Sequence, residues 1–189
     1  MADLLGLFET INEEVIQLSY RWKVFRQLFD SGPENLSVLN KSGSYVFGLL
    51  QTLMIDDTIL ALSRLTDTER SMGRENASLK NLLEKSKPHL DQVTRDELTS
   101  SFLSLNAYVQ NLRVHRNKVI AHKDLSHALG ASSLPNVRYD DLENSMEILR
   151  KILTDLGLKL FNQQTCYEVT SRFGTDGEHL LSVLRKARK

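Results

Sequence analysis

The sequence predicts an all-α protein, an up-and-down helical bundle of about five to six helices. Only three prolines and nine glycines interrupt its 189 residues. Apolar residues recur in steps of three and four along most of the chain, which is the period of one helix face. This length suits one compact domain with a sizeable core. We therefore expect a single domain over residues 1–189, with a core from about 3 to 163 and a helical extension over 164–189.

The first helix is predicted from about Asp3 to Phe29. Its apolar positions alternate steps of four and three without a miss, at Leu4, Phe8, Ile11, Val15, Leu18, Trp22, Phe25 and Phe29. The sequence Asp-Ser-Gly-Pro at 30–33 then ends the helix, because glycine and proline both disfavour its continuation.

A second helix is expected from about Ser42 to Leu65, apolar on more than one face as in the central helix of a bundle. The stretch 45–65 is long enough to raise the question of a membrane span. However, it carries the adjacent carboxylates of Asp56 and Asp57, which would be too costly in lipid. We therefore expect a buried helix and no membrane association.

Three elements follow. Residues 66–76 are polar and predict an exposed loop. Asn76 or Ser78 can cap a short helix around Leu79–Leu83, which stops before a proline. Thr94 with Glu97 forms a capping box that opens a fourth helix. This helix carries one apolar stripe that continues into the basic segment described below, through Phe102, Leu105, Val109, Leu112, Arg116 and Val119.

Two further helices complete the prediction. Asp140 or Asp141 starts a fifth helix, and Thr175 with Glu178 caps a final one. The stripe of the fifth helix contains Leu142, Met146, Leu149, Leu153, Leu156 and Leu160.

The composition limits the function. Lys and Arg number 24 and Asp and Glu number 24, so the formal charge is zero and the pI is near 7.0. A general polyanion binder would carry a basic excess, so any contact with nucleic acid must be local. The single cysteine, Cys166, excludes an internal disulfide and a cysteine-based zinc site. The acidic start of the chain does not resemble a secretory signal, and we expect a cytoplasmic protein.

The local contact is predicted in the segment Leu112–Asp124, which has no acidic residue between Arg113 and Lys123. Arg116 is followed by Asn117, and His122 lies six residues after the arginine. Arginine can hold a phosphate by two parallel hydrogen bonds, and histidine titrates near neutrality and can move a proton. These are the groups needed to cut a phosphodiester without a metal.

Arg116 stands at a position of the stripe where every earlier turn has an apolar side chain. An arginine there must be paired or must face a polar pocket, because an unpaired buried charge is costly. One interpretation is a structural ion pair with Asp57 or Asp56, and the other is a functional pocket. The two are compatible, because a carboxylate can orient a functional arginine.

His122 raises a geometric problem. On an ideal helix, six residues place it about 120° around the axis from Arg116 and about 9 Å along it. The two side chains therefore cannot close on one phosphate from a single straight helix. Either the helix ends or bends near Val119, or two copies of the chain each contribute.

Arg116, Asn117, four further residues and His122 match the signature of the HEPN superfamily, whose members are helical bundles. The fuller string Arg-Asn-Lys-Val-Ile-Ala-His-Lys-Asp resembles the abortive-infection U-type (AbiU-like) branch. So does Leu-Ser-Arg-Leu-Thr-Asp at 62–67 after the Asp56-Asp57 pair, followed by Asn-Ala-Ser-Leu at 76–79. The resemblance covers most of 4–160.

The resemblance implies a metal-independent endoribonuclease, and our leading hypothesis is a toxin or effector in phage defence. We expect no cofactor, because the apolar stripes are accounted for by the core. In that scheme Arg116 stabilises charge on the scissile phosphate, His122 is general base or acid, and Asn117 orients the substrate or the imidazole. It also implies a homodimer whose two motifs line one cleft, and an antitoxin or neighbouring defence protein as partner. We expect a supporting or substrate-binding role for His115, Lys118, Lys123, Asp56, Asp57 and Arg64.

Two other functions compete with this one. A non-catalytic module would use the same residues to bind a nucleotide, RNA or a partner protein. A purely structural dimer would use Arg116 only in an ion pair.

Overall fold

The computed structural model describes residues 1–121, 125, 129–130, 133–168 and 175–187 of the chain. Six helices are present in this part, so the all-α prediction is confirmed. The helices are α1 (Ala2–Phe29), α2 (Pro33–Leu65), α3 (Leu79–Ser86), α4 (Gln92–His115), α5 (Tyr139–Leu156) and α6 (Gly177–Lys186). Short elements are the strands β1 (Arg70–Ser71) and β2 (Arg74–Glu75), a 3₁₀ turn (Lys87–His89) and two π-helical turns (Arg116–Ile120 and Gly157–Phe161).

The chain divides into two compact units. The first comprises residues 1–15 and 59–165, and the second comprises residues 16–58 and 166–189. The first unit contains α3, α4, α5 and the segment predicted to carry chemistry. The single-domain boundaries stay a prediction.

α1 has the bounds that its periodicity predicts. All eight positions of the predicted stripe are 6 % exposed or less. The break after Phe29 includes Gly32, whose φ of 107° is a conformation that favours glycine. α2 begins at Pro33, earlier than expected, and proline is well suited to the first position of a helix. Gly43 has non-helical dihedral angles and marks a kink, beside the start that we predicted at Ser42.

The prediction that α2 is buried is correct only for its last turns. From Thr58 to Leu65 most side chains are buried, whereas between residues 40 and 57, all of which the structure describes, none is. Tyr45 is 83 % exposed and Val46 64 %. Apolar composition therefore did not imply burial here. By length and composition α2 is also the one described helix that could cross a membrane, with 28 % of its most apolar window buried.

The helix caps show which sequence signals were correct. Ser78 caps α3 as predicted, accepting a hydrogen bond from the Asn81 backbone N–H. α4 is capped by Asp91, which accepts hydrogen bonds from the backbone N–H and the hydroxyl of Thr94, so the predicted capping box of Thr94 with Glu97 is wrong. Likewise Asp176, and not Thr175, caps α6. In both helices an aspartate takes the place of the predicted threonine: Asp91 lies three residues before Thr94, and Asp176 lies one residue after Thr175.

The predicted loop at 66–76 contains the β1–β2 hairpin, in which Arg70 pairs with Glu75 and Ser71 with Arg74. Met72 and Gly73 form its tip, both with positive φ. Such a turn matches the twist of two antiparallel strands. The hairpin leads the chain from α2 into α3, and α4 packs against α5 in the core of this unit.

α4 and α5 each end in a π-helical turn, where a backbone N–H bonds to the carbonyl five residues earlier. In the first turn the Ala121 N–H donates to the Arg116 carbonyl at 2.8 Å. The wider turn changes the direction of the side chains that follow. Val119 is consequently 39 % exposed, so the prediction that the stripe of α4 continues to it is wrong.

Candidate functional site at the Arg116 turn

Arg116 lies where the regular helix α4 changes into the π-helical turn. Leu105, Val109 and Leu112, the preceding members of its stripe, are fully buried. The Arg116 side chain, by contrast, retains 26 % of its exposure. The predicted bend near Val119 is thus present as a change of helix type, and it begins at the arginine itself. π-helical turns are rare, and those inside α-helices are frequently found at functional sites.

The Arg116 guanidinium is oriented by its neighbour in sequence. Its Nε donates a hydrogen bond of 2.9 Å to the Asn117 side-chain oxygen. Its Nη1 lies 3.8 Å from a carboxylate oxygen of Asp67. That distance exceeds a normal hydrogen bond, and both side chains are partly exposed, so the ion pair contributes little stability. The remaining N–H groups of the guanidinium can therefore receive an oxyanion.

A second arginine, Arg113, lies one turn before Arg116 and is held more firmly. Its Nη2 donates to the carbonyl and hydroxyl oxygens of Thr66 and, at 3.2 Å, to the Asn106 side-chain oxygen. Burial lowers the pKa of the Arg113 guanidinium; Asp67 opposes this shift and the nearby charge of Arg116 adds to it. Arginine remains charged at neutral pH despite such a shift. Arg113 therefore fixes the segment after α2 to α4.

The segment 66–68 is held from three sides. The Thr66 hydroxyl donates to the Leu62 carbonyl at 2.7 Å, which continues the end of α2. The Thr68 carbonyl accepts hydrogen bonds from the side chains of Asn76 and Ser78. Together with Arg113, these bonds preorganise the position of Asp67 between Thr66 and Thr68. The Asp67 carboxylate can thus face Arg116 without relying on their weak ion pair.

A cavity of about 490 Å³ opens beside this segment. Its walls come from the segment after α2, from α3 and from α4, all in the first unit. The lining residues are Thr66, Asp67, Thr68, Lys80, Phe102, Leu103, Asn106 and Arg113. Lys80 also forms an ion pair of 2.8 Å with Glu69, whose pKa is lowered mainly by that hydrogen bond.

Among the predicted site residues, the structure brings Arg116 and Asn117 into direct contact. His115 and Lys118 are half-buried neighbours on the same stretch of chain. His122 and Lys123 lie outside the described residues, so their predicted roles are not tested.

The acidic partner predicted for Arg116 was wrong. Asp57 forms an ion pair of 2.7 Å with Arg21 in the second unit, whereas Arg116 faces Asp67. Asp56, half-buried, belongs to that second unit as well. Asp67 follows the end of α2, and no periodicity argument could select it, because a stripe cannot be extended beyond its helix.

Arg64, predicted as a supporting residue, forms an ion pair with Glu14 of α1. It is 62 % exposed, and this pairing accounts for its place in the fold.

Sequence reasoning also missed Arg113, Asn106 and Asp67 as members of the site. A signal for the first two was present, because Asn106 and Arg113 are seven residues apart and Arg113 is three before Arg116. These spacings place all three side chains near one face of α4. Asp67 ends the Leu-Ser-Arg-Leu-Thr-Asp block already noted for its resemblance.

The family model HEPN_AbiU2, described as AbiU2, matches residues 1–179. The chain belongs to the HEPN AbiU2 family. This match confirms the resemblance inferred from the Arg116–His122 motif and the 62–67 block, and it extends to residues beyond 163. It also agrees with the all-α architecture. No curated protein and no solved structure matches the chain significantly.

Within the described ranges, no three His, Cys, Asp or Glu side chains lie close enough together to hold a metal ion.

Proposed function

We propose that this HEPN module is a metal-independent endoribonuclease that acts as a toxin or effector in abortive infection. One observation carries the proposal: Arg116 begins a π-helical turn with a partly exposed guanidinium, oriented by Asn117 and only weakly paired with Asp67. Among the described residues, no hydrogen bond occupies the other N–H groups of this guanidinium, and an oriented cation of this kind is suited to stabilise charge on a phosphate during cleavage.

The reaction needs the RNA itself as nucleophile. The ribose 2′-hydroxyl attacks the phosphorus, the 2′-oxygen–phosphorus bond forms, and the bond to the 5′-oxygen breaks. The imidazole of His122 accepts the 2′-hydroxyl proton or donates a proton to the leaving 5′-oxygen. The products are a 2′,3′-cyclic phosphate and a free 5′-hydroxyl, and DNA cannot react because it has no 2′-hydroxyl.

A homodimer is part of the proposal, because a second His122 would supply the other proton-transfer group. Its support is the exposed first half of α2, where Tyr45, Leu49 and Leu53 recur every four residues and are each more than half exposed. No residue from Ser42 to Ile55 is charged. Such a face is complementary to another copy of itself and attracts no charged partner.

Leu49→Lys tests this part of the proposal. Wild-type protein should elute as a dimer in light-scattering chromatography and the variant as a monomer. Ser44→Lys, exposed on the same segment, is the control for added charge. A monomeric wild-type protein, or one that sediments with lipid vesicles through α2, would contradict the homodimer.

The activity is tested with purified protein and single-stranded RNA in excess EDTA. We expect cleavage to 2′,3′-cyclic phosphate ends, with no cleavage of 2′-O-methyl RNA or DNA of the same sequence. His122→Ala should abolish cleavage, and His89→Ala, an exposed histidine on the 3₁₀ turn, should leave it intact. Intact RNA across several pH values near neutrality would overturn the proposal.

The cavity beside Asp67 favours a second candidate function, a non-catalytic module that binds a nucleotide, RNA or a partner protein. In this case neither wild type nor His122→Ala would cleave RNA, and the substitution would only weaken binding of the ligand. In either case we expect a cytoplasmic protein with an antitoxin or a neighbouring defence protein as partner, and a pull-down from its own host would test that expectation.

A further inference from the structure

The cavity between the segment 66–68, α3 and α4 has no role in phosphate cleavage as described above. Its volume of about 490 Å³ lies within the range of small-molecule pockets, roughly 300–1,000 Å³. It is also built from fixed parts, since Thr66 is bonded to Arg113 and Thr68 to the start of α3. A preformed cavity loses little free energy on ordering when a ligand enters.

Asp67 connects this cavity to Arg116. Asp67 is one of the residues that line the cavity, and one of its carboxylate oxygens lies 3.8 Å from the Arg116 guanidinium. A phosphate bound by Arg116 and a group inside the cavity would therefore be close neighbours. A ligand that occupies both must carry a phosphate next to a compact second group.

The lining of the cavity indicates the chemistry of that second group. Phe102 is half-buried, so part of its ring can be covered by a flat partner. The Asn106 side-chain oxygen accepts a hydrogen bond from Arg113, which leaves its amide N–H groups as donors. The Asp67 carboxylate supplies an acceptor. An aromatic face with a donor and an acceptor beside it is suited to a nucleobase, which stacks and presents both kinds of group at its edge.

We propose that this cavity binds the base of a nucleotide adjacent to the phosphate held by Arg116. The inference rests on the proposed function in one respect, namely that Arg116 is the phosphate site. It adds that recognition depends on a base as well as on the backbone, with Phe102 as the stacking residue and Asn106 and Asp67 as edge-reading residues.

The test compares two non-cleavable probes by fluorescence anisotropy with the full chain. One is a 2′-O-methyl RNA tetranucleotide, and the other has the same backbone and phosphates but is abasic. Wild-type protein should bind the base-bearing probe about tenfold more tightly or better, the factor that aromatic stacking contributes. Phe102→Leu should remove most of this difference in affinity, whereas Phe102→Tyr should retain it because the aromatic ring is kept.

Phe47→Leu, the same substitution at a half-buried phenylalanine on α2, is the matched control and should keep the full difference. Asn106→Asp keeps an oxygen for Arg113 but removes the amide donor, so it should also reduce the preference. This variant remains informative if Phe102→Leu melts at a much lower temperature than wild type.

Equal binding of both probes by wild type, or an unchanged preference in Phe102→Leu and Asn106→Asp, would overturn the inference. These outcomes are separable from failure of the proposed function. If the protein cleaves RNA but binds both probes equally well, the proposed nuclease function stands and the proposed base-binding role of the cavity is rejected. If the protein prefers the base-bearing probe but does not cleave RNA, the base-binding role of the cavity stands and the proposed nuclease function is rejected.

Discussion

The two π-helical turns share a backbone arrangement but differ in chemistry. The turn Gly157–Phe161 follows α5, and its Phe161 ring lies 5.1 Å from that of Phe8 in α1. It ends at Asn162, whose left-handed backbone (φ 51°) stops the helix. The turn Arg116–Ile120 instead begins with an oriented guanidinium. A π-helical turn alone therefore does not mark a functional site, and what distinguishes the Arg116 turn is the charged side chain at its first residue.

Packing explains the glycine at the first position of the second turn. A Cβ at residue 157 would lie 2.8 Å from the Gln163 carbonyl oxygen and 3.0 Å from the Phe8 ring. The first residue of the other turn is Arg116, whose long charged side chain is partly exposed instead of packed in the core. One turn therefore closes a packed corner, and the other presents a group to solvent.

The largest effect on stability is expected from Gly157→Ala. The added methyl group should lower the free energy of unfolding by about 1–3 kcal/mol, because Phe8 and the carbonyl must shift. RNA cleavage per folded molecule should not change. Urea denaturation measures the effect, with Gly6→Ala as control: this exposed helical glycine has nothing within 4 Å, and its substitution should stabilise the protein by roughly 0.5–1 kcal/mol. Equal effects at both glycines would invalidate the packing explanation.

A smaller effect is expected from Asn117→Ala, which removes the acceptor that orients Arg116. Since one hydrogen bond contributes about 0.5–1.5 kcal/mol, kcat/KM for RNA should fall by roughly threefold to tenfold. The melting temperature should stay close to that of wild type, because Asn117 is exposed. Asn111→Ala, an exposed asparagine on α4, provides the matched control. An equal loss of activity in Asn117→Ala and Asn111→Ala would contradict the proposal that Asn117 orients Arg116.

The smallest effect concerns Asp91, at the opposite end of α4 from Arg116. Two hydrogen bonds lower the pKa of the Asp91 carboxyl in the folded protein: the bond from the Thr94 backbone N–H has the larger effect, and the bond from the Thr94 hydroxyl has the smaller one. Its stabilisation is therefore fully present above the unfolded-state pKa, near 4, and is lost as pH falls through the lowered folded-state pKa. The melting temperature of Asp91→Ala should approach that of wild type as pH decreases from about 6 to about 2. A constant difference over this range would contradict the assignment.

The sequence was sufficient where periodicity determines burial. α1 follows its stripe residue by residue, and the family was recognised from the spacing and residue types of the Arg116–His122 motif and the 62–67 block. Two features were not predictable in this way. The first half of α2 is apolar but exposed, because hydropathy does not say whether another element covers a face. The change from α-helix to π-helix at Arg116 leaves no mark in the periodicity before it, so its acidic neighbour was sought at Asp57 instead of Asp67.

We expect the Arg116 guanidinium to stabilise charge on the scissile phosphate while RNA is cleaved. The most direct measurement is the single-turnover rate of RNA cleavage in EDTA for wild type, Arg116→Ala and Arg95→Ala, an arginine near the start of the same helix. Arg116→Ala should be slower by about 10²–10³-fold, the usual effect of removing one charge-stabilising donor, with an unchanged melting temperature. Arg95→Ala should cleave at the wild-type rate. Equal rates for Arg116→Ala and wild type would contradict the account.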